Sequence, residues 1–140
     1  MANATKCFVN AQGFYLHAEV VPGLRGTSYV LHVNCGGHAA LTVTASGKAP
    51  VRKEWYYTFI QLSALIDAVN ESAFYELPER VGDVLPAPDA GWYTLNLYRD
   101  LERHHVAYYP QFNVANPEKT RFMRVWNVAF KPSGTIPPLP

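Results

Sequence analysis

The stretch WYTLNLYRDLERHHVAYY, residues 92–109, constrains this chain more than any other. Successive residues of a strand point to opposite faces, and the apolar residues here recur at every second position on both sides of Asp100-Leu101. A tight turn on those two residues sets Arg99 opposite Glu102, Leu97 opposite His104, Leu95 opposite Val106 and Tyr93 opposite Tyr108. Such a register gathers the apolar side chains on one face, and that segregation is what specifies a register. The doublets His104-His105 and Tyr108-Tyr109 then look to opposite sides. His104 falls on the core side, and the two histidines cannot share one metal ion. The other face carries Trp92, Thr94, Asn96 and Tyr98 beside Arg103, His105, Ala107 and Tyr109. Aromatic rings mixed with amide, hydroxyl and cationic groups are the composition of recognition surfaces.

Upstream, GFYLHAEVV alternates with Phe14, Leu16, Ala18 and Val20 on one side, again a strand pattern. PGLRGTS follows as a turn, YVLHVNC as a second strand, and Gly36-Gly37 supplies a tight reversal into ALTVTA. The period then changes. In YTFIQLSALIDAVNESAF the residues Phe59, Leu62, Leu65, Ile66, Val69 and Ala73 recur three or four apart, which lines one face of a helix with Thr58 as its N-cap. YELPERVGDVLPAPDAG is too broken by proline and glycine for a regular element, and loops of that length are usually functional or mobile. Asn116-Pro117-Glu118 opens a last helix as N-cap, first-turn proline and first-turn acid. Its stripe is Phe122, Val125, Trp126 and Ala129, and the Pro-rich segment 132–140 follows as an extended tail.

Three strands, a helix, two strands and a helix predict one α+β domain over residues 1–131. Its antiparallel sheet has about five strands, with one long helix and a shorter C-terminal helix on one face and the other face open. The length of 140 residues fits a single domain and buries enough surface to fold without a metal or a cross-link.

Charge excludes some partners. Twelve basic residues against eleven acidic ones leave a net charge of +1, so nothing argues for nucleic acid or an anionic bilayer. Lys119, Arg121, Arg124 and Lys131 read as a solvated helix face. No run approaches the roughly 18–20 apolar residues that cross a membrane, so no membrane insertion is expected. The N-terminus has no basic start followed by an apolar run. A periplasmic or exported mature form is favoured over a cytoplasmic one. Cys7 and Cys35 either pair in an oxidising compartment or remain small apolar thiols.

Chemistry-bearing motifs are sparse. Cys35-Gly36-Gly37-His38 has the spacing of a metal-ligand pair but lacks a second pair. His17 and His32 face each other across the first hairpin with Glu19 two residues away, which makes His17, His32, Cys35 and His38 the metal candidates. No cofactor is expected. TASGKAP lacks the first glycine and the final Ser or Thr of a phosphate loop, and there is no Gly-x-Ser-x-Gly elbow. Glu76, Glu79, Asp83 and Asp89 all lie in the long loop or its entry, a poor platform for fixed acid–base geometry.

The order SYVLHVNCGGHAALTVTA, helix, AFYELPE, Pro-containing loop and WYTLNLYRDLERHHVAYY resembles a family of small uncharacterised bacterial α+β domains. These run hairpin, helix, Phe-x-x-Leu, acidic loop, hairpin, and the resemblance covers residues 28–109. This chain departs in having His38 and Ala39 where such domains show a Gly-rich acidic turn, and in adding an N-terminal strand. The resemblance implies a fold and an envelope location and carries over no catalytic site.

Two function classes follow, with a third behind them. The first is a non-enzymatic protein-binding module, such as a bacterial inhibitor or immunity-type protein that neutralises another protein. Its partner site would be Glu79, Asp83, Asp89, Trp92, Tyr98, Arg103, His105 and Tyr109. The second is a small metal-dependent or cysteine-based enzyme. The third is an accessory domain of a larger assembly.

Overall fold

A computed structural model describes residues 6–23, 26–82, 91–100, 102–109, 117–135 and 137. In chain order the elements are β1 (Tyr15–Val21), β2 (Ser28–Asn34), β3 (His38–Thr44), β4 (Val51–Tyr56), α1 (Phe59–Glu71), β5 (Arg80–Gly82), β6 (Trp92–Arg99), β7 (Glu102–Tyr109) and α2 (Pro117–Phe130). The strands form one sheet in the order β4-β3-β2-β1-β6-β7-β5.

The β6–β7 register has Tyr93 opposite Tyr108, Leu95 opposite Val106, Leu97 opposite His104 and Arg99 opposite Glu102. Asp100 opens the turn with φ +56°, a left-handed conformation that Asp tolerates better than most residues. Its N–H donates to the Gly13 carbonyl at 3.2 Å. A Cβ on Gly13 would lie 2.7 Å from that same nitrogen, so the close approach requires glycine there.

The sheet differs from expectation in size and in one pairing. It has seven strands among the described residues, against about five expected, and the edge pair β5–β7 is parallel. Both unexpected strands lie at edges, where the alternation signal fails for a physical reason. In β4, Val51–Glu54 and Tyr56 are exposed and only Trp55 is half-buried, so VRKEWY has no buried face to make it periodic. β5 has three residues and buries only Val81. It sits inside the proline-broken connection that reads as a loop. Residues 83–90 of that connection, with Asp83 and Asp89, lie outside the described residues, as does Asn116.

One core fills the space between the sheet and the two helices. Leu16, Leu31, Val33, Leu95, Leu97 and Val106 from the strands, Leu62, Leu65 and Val69 from α1, and Phe122, Val125, Trp126 and Ala129 from α2 belong to a single buried cluster. α1 begins with a capping box. Gln61 N–H donates to the Thr58 hydroxyl oxygen at 3.1 Å, and Thr58 N–H donates to the Gln61 side chain at 2.9 Å, which satisfies two otherwise unpaired groups.

Two details correct the helix expectations. α2 has 14 residues and α1 has 13, so the C-terminal helix is not the shorter one. Phe59, expected on the buried stripe, is 51% exposed and meets the edge of Phe8, at 5.7 Å between centroids. As the first residue of α1 it sits at the rim, where a stripe continues in sequence but the core does not.

The basic residues of α2 are not simply a solvated face. Arg121 donates from Nε to the Ser72 carbonyl and from Nη2 to the Ala73 carbonyl, both at 2.6 Å. Those carbonyls end α1, where a cation complements the helix dipole. Arg124 adds an exposed ion pair with Glu71. Beyond α2, a 3-10 turn at Lys131–Ser133 buries Ser133, whose hydroxyl donates to the Phe130 carbonyl at 2.6 Å.

Candidate functional site

With both helices on one face, the other face of the sheet presents the alternate residue of every strand. The pairings set His105, Asn96, His17 and His32 abreast across β7, β6, β1 and β2. To one side run Arg103, Tyr98, Tyr15 and Asn34 in the same strand order. To the other side lie Ala107, Thr94, Glu19 and Val30, and beyond them Tyr109 and Trp92. Most of the long side chains here are half-buried, because they lie against one another. They cover Thr94 and Ala107, which are buried although they are on the open face.

Two aromatic–cation clusters flank the histidine row. Trp92 and Tyr109 have centroids 6.0 Å apart, with the Arg80 guanidinium carbon 5.3 Å from the Tyr109 centroid. On the other side the Arg103 guanidinium carbon lies 5.6 Å from Tyr98, whose ring meets Tyr15 edge-on at 5.7 Å. Guanidinium over an aromatic face is attractive by electrostatics. So the structure brings together Trp92, Tyr98, Arg103, His105 and Tyr109. Glu79 is exposed and its carbonyl accepts from Ala107 N–H at 2.8 Å, which anchors the loop entry beside β7. Asp83 and Asp89 lie outside the described residues. The sequence reading missed Arg80, because its strand hides in the loop, and missed Tyr15, because its relation to Tyr98 needs the β1–β6 pairing of strands far apart in sequence.

The row between the clusters is hydrogen-bonded. His105 Nδ1 lies 2.7 Å from Asn96 Oδ1, and the Tyr15 hydroxyl is bonded to His32 Nδ1. The His17 and His32 rings meet edge-on at 4.5 Å, and His17 Nε2 stands 3.5 Å from Glu19 Oε2. Burial lowers the proton affinity of His32, and His17 and Arg52 add to the effect while Glu19 opposes it. Burial likewise lowers that of His105, with Arg103, His104 and His17 adding to it and Glu79 opposing. Burial raises the Tyr15 hydroxyl, and Tyr98 adds to it.

Both shifted histidines have a folded pKa below the ordinary value of 6.5. The unfolded chain therefore takes up protons first as the pH falls through about 6.5, so stability is lost on acidification from there downward. Thermal melts between about pH 8 and pH 5 are expected to show falling stability below about pH 6.5, with a shallower decline in a His32→Gln/His105→Gln variant. A wild-type profile as flat as the variant's would remove this contribution.

The four metal candidates separate. Cys35 is bridged to Cys7, with Cα atoms 4.6 Å apart, and therefore has no free thiol to bind metal or attack a substrate. Asn34 Oδ1 accepts from Gly36 N–H and His38 N–H, each at 3.0 Å, so Cys35-Gly36-Gly37-His38 is a turn. His38 Nε2 stands 3.4 Å from Glu54 Oε1 on β4. His17 and His32 remain neighbours, but among the described residues no group of three or more His, Cys, Asp or Glu is placed to hold a metal ion. Among the same residues no helix is long and apolar enough to cross a membrane. Compared with protein-family models and with curated proteins, the chain matches none.

Proposed function

We propose that this chain is a protein-binding module whose open sheet face receives a partner protein, as an inhibitor or immunity-type protein of bacterial origin would. The observation that carries the reading is the pair of aromatic–cation clusters, Trp92–Tyr109–Arg80 and Tyr15–Tyr98–Arg103, on one face that no described element covers. Tyr, Trp and Arg dominate binding hot spots, because they offer large area at low entropic cost with a polar handle. Here neighbouring side chains already restrain them, so less freedom is lost on binding. The hydrogen-bonded row of His105, Asn96, His17 and His32 supplies polar groups for register between the two anchors. Bridging of Cys35 takes the nucleophile from the cysteine-based enzyme reading, and a disulfide fits an exported location.

The test compares wild type with Trp92→Ala and Tyr109→Ala as immobilised bait, followed by titration against any protein the wild type retains. Each variant is expected to weaken binding by at least about 1–2 kcal/mol with unchanged circular dichroism. Wild-type affinity in both variants would move the site off this face.

A further inference from the structure

β4 is an edge strand. Among the described residues only β3 pairs with it, which leaves its outer side without a strand. Five large apolar side chains among those residues are notably exposed, and four of them, Val51, Tyr56, Phe59 and Ile60, lie on β4 or just after it. An exposed edge with apolar residues is a template for another strand unless charge repels the newcomer. β4 carries such charges, Arg52, Lys53 and Glu54, so their arrangement decides which strand is accepted.

Arg52 and Glu54 lie on the open face, opposite Thr42 and Ala40 of β3. Their side chains pair with each other at 2.9 Å while 60% and 52% exposed. The two charges are opposite in sign and symmetric about Lys53. In an antiparallel pairing of β4 with a second β4 centred on Lys53, Arg52 of each copy stands opposite Glu54 of the other. Directly opposed side chains in such a pair are close enough for opposite charges to attract and like charges to repel. The same register sets Val51 opposite Trp55 and covers the exposed valine. Only the central Lys53 meets its like. Its ammonium is already drawn aside, bonded to the Ser133 carbonyl and 5.6 Å from the Trp55 centroid.

We propose that β4 is a self-association edge, on which a second copy of this chain adds antiparallel in the register centred on Lys53 and continues the sheet across a two-fold axis. The contact is one short strand pair with its flanking apolar residues, so the dimer is reversible and concentration-dependent. The open face stays uncovered and runs on from one copy to the next.

Sedimentation analysis of the full chain over a range of concentrations reads this directly. Wild type is expected to dimerise. Arg52→Glu and Glu54→Arg, each at an exposed position, should each turn two attractive pairs into repulsive ones and weaken the dimer about tenfold or more. An equimolar mixture of the two variants should recover a one-to-one heterodimer. In it, the acids at positions 52 and 54 of one chain face the arginines at positions 54 and 52 of the other. The double variant Arg52→Glu/Glu54→Arg should recover the homodimer. A wild type that is monomeric at the highest attainable concentration overturns the proposal. So does a dimer indifferent to both single reversals, or a mixture that does not pair.

Discussion

Trp126→Ala is expected to remove about 3–5 kcal/mol of stability, a large share of what a domain of this size has. Trp126 is fully buried, and its ring centroid lies 4.6 Å from Phe130, 5.3 Å from Tyr93 and 5.9 Å from Phe122. Tyr93 in turn faces Tyr108, which packs on Phe122 at 5.4 Å. This aromatic cluster is what docks α2 beneath the β6–β7 hairpin, and burial there pushes the Tyr93 hydroxyl up to about 12. Truncation to alanine leaves a cavity between elements that cannot easily collapse. Trp126→Phe should cost less, under about 3 kcal/mol, since it keeps most of the ring volume and the indole N–H has no hydrogen-bond partner among the described residues, so its loss leaves nothing unsatisfied. Denaturant midpoints for the two variants check both values. Equal losses would mean that the ring volume a phenylalanine keeps does not hold the cluster together.

Removing the Cys7–Cys35 bridge, by reduction or as Cys7→Ser/Cys35→Ser, is expected to cost about 2–4 kcal/mol. The bridge spans 28 positions, so much of its effect is the restriction of the unfolded chain, and it also holds the N-terminal segment in place. Phe8 N–H donates to the Cys35 carbonyl at 2.9 Å. Phe8 lies over the β2–β3 turn, where a Cβ on Gly37 would stand 3.1 Å from its ring and 2.7 Å from the Tyr57 carbonyl. Ala11 and Phe14, further along the same segment, are buried. Loss of the bridge should therefore loosen the segment as well as lower the unfolding free energy. Unfolding curves measured with and without reductant check this, with proteolysis of the N-terminus as a second reading. Coincident curves would mean that the bridge adds nothing.

The two surfaces of the protein make different demands on it. The helix-covered face is apolar, whereas the other face, which no described element covers, would expose a wide apolar area if it followed strand propensity alone. Histidine, tyrosine, asparagine and threonine at its central positions avoid this. They fill the pleat and hydrogen-bond to one another, as Tyr15 does with His32 and His105 with Asn96.

Much of this fold was legible in local pattern. The β6–β7 register follows from the alternation of WYTLNLY and RHHVAYY about Asp100, because one slip would carry every apolar side chain to solvent. Thr58 announced the start of α1, since an N-cap is read from the residue that precedes the periodic stripe. The pairing of His17 with His32 followed from a single turn between neighbouring strands. Phe59 misled because periodicity locates a helical face but says nothing of where the core ends along it.

What only the tertiary structure decided is everything that joins segments distant in sequence. The β1–β6 pairing brings Tyr15 to Tyr98 and His17 to Asn96 across about eighty residues, and no local pattern specifies which strand an edge will choose. β4 and β5 became visible only through their neighbours, since an edge strand with little buried surface has no alternation to display. Arg121 looked like surface charge until the end of α1 was placed against it. Local sequence determined the elements and their inward faces, because those depend on the period of burial. The candidate site needed the chain's long-range pairings, because its residues come from five strands, β1, β2, β5, β6 and β7, and share only a face.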